Sequence, residues 1–254
     1  MDVVVLTALG VGGATVIGAL LGLFFKNISH KISDTVLAFA SGVMLAAAVV
    51  GLILPSLSYG EGKITALLVT IAGLFCGALF LNLLDKMLPH LHNFAGIDEE
   101  AHPEINKEVN RVLLFVLAIG IHNLPEGIAA GVSFGAGDLG AALTVSLSIA
   151  LQNIPEGMVI IGPMLAAGIT HKRTFLIALM TGLVEVVGTF FGYFAVQIST
   201  AILPFALAFA SGTMLYVISD EMIPETHAHG HQRGATYALL AGFALMLSVD
   251  FLLG

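Results

Sequence analysis

The sequence predicts an all-α membrane protein of eight transmembrane helices, in a three-two-three arrangement built on inverted repeats. Three observations predict it. The first is composition: the 254 residues are 57% hydrophobic and only 10% charged, with a mean hydropathy of +1.00. Soluble domains carry roughly a quarter charged residues, and nine Lys+Arg with seventeen Asp+Glu cannot cover a soluble globule of this size. The second is the length of the apolar segments. The third is an internal sequence repeat.

Composition also excludes an ordinary cytosolic enzyme, a nucleic-acid binder and a disordered chain. The formal charge of −8 argues against a polyanionic partner. The single cysteine, Cys76, sits in an apolar run and rules out a disulfide scaffold or a cysteine-based zinc site.

Eight apolar segments are expected to span the bilayer: 3–25, 35–56, 64–84, 111–134, 140–168, 174–197, 201–223 and 235–252. A span needs about 20 residues, so these helices leave only short loops and a single domain over 1–254. The segments are too long, and too rich in Gly, Ala and Leu, to be strands of a barrel. The first has full span length and lacks an A-x-A cleavage site, so it reads as a helix and not as a removable signal. The 29 glycines suit helices whose backbones approach closely.

Charge sets the expected orientation. Lys26, Lys31, Lys86, Lys107, Arg111, Lys172, Arg173 and Arg233 fall after the odd-numbered spans, and only Lys63 falls on the other side. The positive-inside rule then puts both termini outside the cytoplasm. The loop over 85–110 carries His90 and His92, and the loop after the seventh span carries His227, His229 and His231. Such tracts bind metal weakly or are simply solvated.

The repeat has a constant offset. Residues 37–45, LAFASGVML, match residues 207–215, LAFASGTML, and the same offset pairs Gly12, Gly18, Gly22 and Phe24 with Gly182, Gly188, Gly192 and Phe194. Spans one and two thus correspond to spans six and seven. Five spans separate the members of each pair, an odd number, so the copies run in opposite directions. Inverted repeats of this kind are common in secondary transporters. Spans four and five form a second pair, His122-Asn123-Leu124-Pro125-Glu126-Gly127 against Gln152-Asn153-Ile154-Pro155-Glu156-Gly157.

Ionisable residues in mid-span are expensive and usually functional. His122, Asn123 and Glu126 lie near the middle of span four, Gln152, Asn153 and Glu156 near the middle of span five, Glu185 in span six and Met44 in span two. His122 and Glu126 are four apart and share a helix face, as do Gln152 and Glu156. Pro125 and Pro155 each remove a backbone hydrogen bond and are expected to kink their helices. At Glu185 the repeat mate is Thr15, so an acid stands where its counterpart is merely polar.

Carboxylates with an imidazole suit borderline divalent metals such as Zn²⁺, Fe²⁺ and Mn²⁺. Calcium or magnesium would call for oxygen ligands only. No Lys or Arg lies at this depth to neutralise Glu126, Glu156 and Glu185, and unpaired buried carboxylates cost several kcal/mol each or take up protons. One or two divalent cations resolve that cost, and two metals bridged by Glu126 and Glu156 fit the ligand count. Asp220, Glu221 and Glu225 end span seven on the cytoplasmic side and Asp85 lies at the same side of span three. They read either as an exit path for a cation or as solvated helix-end charges.

These residues resemble the ZIP (zinc- and iron-regulated transporter-like) family. The paired motifs and the later glutamate carry the resemblance, and the short chain is most similar to the bacterial ZupT/GufA-type branch. The resemblance implies import of zinc and iron, with manganese and cadmium as further cargo, into the cytoplasm across a bacterial inner membrane, with no enzyme cofactor and no nucleic-acid partner. It implies a first metal on His122, Glu126, Gln152 and Glu156, with Met44 as a further ligand. It implies a second on Asn123, Glu126, Asn153, Glu156 and Glu185. Many members are dimers, which predicts a homodimer in the lipid bilayer. Gln152 and Asp220 stand where His is common in the family. The competing readings are an intramembrane carboxylate-bridged metalloenzyme and a metal-sensing membrane protein. Di-iron bundles use Glu-x-x-His pairs, and only one mid-membrane His is present here.

Overall fold

The computed structural model describes residues 1–24, 29–59, 62–92, 120, 123–166 and 168–253. Every regular element among them is helical. In chain order these are α1 (Asp2–Phe24), α2 (His30–Ser58), α3 (Lys63–His92), α4 (residues 123–133), α5 (Leu139–Ala166), α6 (His171–Ile198), α7 (Leu203–His227) and α8 (Gln232–Leu253). Seven of them are long and apolar enough to cross a membrane. The fourth expected span is described only at residue 120 and from Asn123 onward.

The helices overrun the expected spans, because polar residues at a membrane interface need not end a helix. Helix α2 begins at His30, capped by the Ser29 side chain, which accepts from Ile32 N at 3.4 Å. Helix α3 continues to His92, so 85–92 is helix rather than loop. Helix α7 runs to His227, which corrects the expectation of a loop from about 223 onward and places Asp220 and Glu221 inside the helix rather than at its end.

Two elements were not anticipated. Helix α2 widens into a π-helical stretch at Ala47–Ile53, and α7 does so at Ile218–Met222. Each is followed by a proline two residues on, Pro55 and Pro224. A proline ring crowds the carbonyl four residues back and donates no hydrogen bond to it. Here those carbonyls belong to Gly51 and Asp220, both within the widened turns, which relieve the clash. Helix α5, by contrast, runs unbroken through Pro155.

Helix α1 packs along α5 and α6, α3 along α7, and α8 along α2. Helices α2 and α7 are the most enclosed, and α3 and α8 the least. The apolar core between them includes Met44, Leu52, Leu81, Ile149, Leu207 and Met214. Leu6, Phe75, Val187 and Phe251 face outward on the surface, as expected where the surrounding medium is lipid.

Candidate metal centre

Close backbone approach brings the polar side chains together. A Cβ on Gly127 of α4 would strike the carbonyl of Glu185 on α6, and one on Gly157 of α5 would strike the carbonyl of Thr15 on α1. The glycine that ends each Pro-Glu-Gly motif is therefore what lets the neighbouring glutamate reach another helix.

The enclosed polar residues are Asn123, Glu126, Gln152, Asn153, Glu156 and Glu185, all buried. Two carboxylate–amide pairs organise them. Gln152 Nε2 donates to Glu126 Oε1 at 2.5 Å. Asn153 Nδ2 donates to Glu185 Oε1 at 2.7 Å and to the Val11 carbonyl at 3.3 Å. Thr15 Oγ1 donates to the other oxygen, Glu185 Oε2, at 3.1 Å.

Oxygen atoms are left over. Glu126 Oε2, Gln152 Oε1, Asn153 Oδ1 and both polar atoms of Asn123 have no hydrogen-bond partner among the described residues. Buried polar atoms are nearly always paired; these four oxygens and the Asn123 amide nitrogen are exceptions, as are Asp34 Oδ2 and Thr174 Oγ1 elsewhere in the fold. The charges of Glu126, Glu156 and Glu185 interact with one another, and Glu156 also interacts with Glu221.

The remaining expected residues are distributed as follows. Met44 is fully buried in the apolar core with Ala47, Val145 and Met214. His122, and the side chains of Asp85, His90 and His92, lie outside the described residues. Glu221 is half-buried in the π turn of α7, whereas Asp220 and Glu225 are exposed. The His227 ring lies 2.8 Å from the Ile223 carbonyl and 3.1 Å from Thr226 Oγ1. His229 pairs with Asp34 at 3.0 Å, and its ring stacks on His30 at 4.3 Å. His231 is exposed at the connection between α7 and α8. Among the described residues, no three His, Cys, Asp or Glu side chains stand close enough together to hold a metal ion.

Sequence reasoning missed Thr15 and the Val11 carbonyl as partners within the centre. It also missed the Asp34–His229 pair. The offset of the repeat had singled out Thr15 beside Glu185, but no one-dimensional signal shows that the two touch.

A bundle of apolar helices around buried carboxylates and amides defines an integral membrane protein with a polar interior. Residues 86–250 match the family model described as ZIP Zinc transporter. The chain is 41% identical to the zinc transporter GufA of Myxococcus xanthus over 96% of both chains. It is 42% identical to the zinc transporter ZIPB of Bordetella bronchiseptica, over 95% of this chain and 78% of that one. It is 32% identical to the zinc transporter ZupT of Chlorobium chlorochromatii, over 92% and 91%. The chain belongs to the ZIP family, in its GufA/ZupT-type branch. It is a transporter and not an enzyme, which sets aside the metalloenzyme reading.

Proposed function

We propose that the protein imports divalent transition-metal ions into the cytoplasm, zinc first, with iron, manganese and cadmium as further cargo. The observation that carries this reading is the set of unpartnered buried oxygens beside three mutually repelling glutamates. A divalent cation supplies both the missing partner and the missing positive charge. The names of the relatives support zinc as cargo.

The site is binuclear on this reading. His122, Glu126, Gln152 and Glu156, with Met44, hold one ion, and Asn123, Glu126, Asn153, Glu156 and Glu185 hold the other. Glu126 and Glu156 bridge. Arrival of metal turns the Gln152 amide so that its oxygen, now unpartnered, faces the ion. Glu221 draws the cation onward from Glu156, and Asp85, Asp220 and Glu225 continue the exit path. His90, His92, His227, His229 and His231 bind metal weakly on the cytoplasmic side.

The architecture is a three-two-three inverted repeat. Its support is that close contacts recur in related pairs. Gly18 meets Ile154 as Gly188 meets Leu124, and Gly42 meets Leu239 as Gly212 meets Leu74. The two π turns fall at matching places in α2 and α7. The protein is a homodimer in a bacterial inner membrane with both termini outside, as the distribution of Lys and Arg favours.

The test is uptake of Zn²⁺, Fe²⁺, Mn²⁺ and Cd²⁺ into proteoliposomes, wild type against Glu156→Ala. Saturable uptake abolished by the substitution is the expected result. Tight metal binding without flux of any ion overturns the reading.

A further inference from the structure

Thr15 and Glu185 occupy equivalent positions of the internal repeat, 170 residues apart, and they touch. Both are fully enclosed, at 1% and 0% exposure. Three residues earlier on each helix, Gly12 and Gly182 pack backbone on backbone, which brings α1 near enough to α6 for a short side chain to cross between them.

The direction of the Thr15 hydroxyl is unusual for this protein. Thr181, Thr189 and Thr213 return their hydroxyls to carbonyls of their own helices, the common habit of helical threonine. Thr15 donates across helices to a carboxylate instead. Its β-branch restricts χ1, so the donor is held in place. With Asn153 on Oε1 and Thr15 on Oε2, each oxygen of Glu185 accepts one hydrogen bond and keeps a lone pair. Glu126 differs: one oxygen is held by Gln152 and the other has no partner among the described residues. One carboxylate is fixed from two sides and the other from one.

We propose that Thr15 is a positioning residue for the transported cation: it fixes the rotation of Glu185 so that the remaining lone pairs face the ion. The hydroxyl acts through Glu185, to which it donates, and is not itself counted among the ligands. This inference rests on the metal-site reading above. It predicts that the Glu185 subsite is preorganised, whereas the Glu126 subsite reorganises when metal arrives.

The experiment measures Zn²⁺ uptake and Zn²⁺ affinity, the latter by titration calorimetry in detergent, for wild type, Thr15→Val and Thr15→Ser. Each substitution is made with Glu185 intact and with Glu185→Ala, which removes the acceptor. Loss of one hydrogen bond to a charged group should raise KM about tenfold in Thr15→Val. Vmax should stay within about twofold, because ground-state binding is what is lost. Thr15→Ser keeps the donor and should keep the wild-type KM. In the Glu185→Ala background, Thr15→Val should cost no further affinity. An unchanged KM in Thr15→Val, or an undiminished effect without Glu185, overturns the proposal. If Thr15→Val does not fold, Thr15→Ala removes the same hydroxyl and carries the same expectation. Absence of flux in the wild type, whatever stands at position 15, overturns the transport reading itself.

Discussion

Gly12 of α1 and Gly182 of α6 meet backbone to backbone. A Cβ on Gly12 would overlap the Gly182 carbonyl oxygen, and one on Gly182 would lie 2.5 Å from that of Gly12. The obstacle is main chain on both sides, so no side chain can swing aside. Gly12→Val must therefore part the two helices. The expected loss is about 1–3 kcal/mol, the range for overpacking, seen as a lower melting temperature in detergent. The same separation lifts Thr15 from Glu185, so zinc KM should rise in parallel.

Gln152 gives a second prediction. Its amide is the donor recorded on Glu126. Gln152→Leu leaves that buried carboxylate without it and should abolish uptake, with Glu126 still present. Gln152→His puts a softer, nitrogen ligand in the same place. Preference for Zn²⁺ over Mn²⁺ in competitive uptake should rise about tenfold, the lower end of what changes around a metal ligand achieve. An unchanged preference would remove Gln152 from the metal's surroundings.

Glu221 stands in the π turn of α7 and its charge acts on Glu156. If that charge draws the ion away from the centre, Glu221→Gln should slow release. Vmax should fall about tenfold, the scale of a partly screened interaction between two unit charges, while KM moves little. A fall in affinity with unchanged Vmax would instead make Glu221 a ligand of the centre.

Asp34 and His229 tie the start of α2 to the connection between α7 and α8. The carboxylate is 3% exposed, but the imidazole is 30% exposed and recovers water when the pair is broken. Asp34→Leu should thus cost only about 1 kcal/mol, a fall in melting temperature of about 2–4 °C for a chain of this size. Zinc KM should be unaffected, which separates this contact from the Thr15 contact.

The candidate residues were legible because a membrane interior makes polar groups conspicuous. Against a background of Ala, Leu and Gly, the two Asn-x-Pro-Glu-Gly motifs and Glu185 stand out by cost alone. The π turns were harder to read. Pro55 and Pro224 were available as signals, yet a proline within a span predicts a kink as readily as a widened turn, and at Pro155 the helix simply continues. The helix ends at His92 and His227 were misjudged because hydropathy reports where the bilayer ends, not where the hydrogen-bond ladder does.

By itself the sequence determined the class of protein, seven helical spans among the described residues, the sequence repeat and the polar residue types that stand out within the apolar segments. Each of these follows from local composition or from spacing along one chain. Only the tertiary structure decided which groups pair: Gln152 with Glu126, Asn153 and Thr15 with Glu185, His229 with Asp34. Those choices depend on how far apart two helices lie and how each is turned about its axis. Backbone contacts at glycines such as Gly12, Gly127 and Gly157 set that distance, and it is a property of two segments at once.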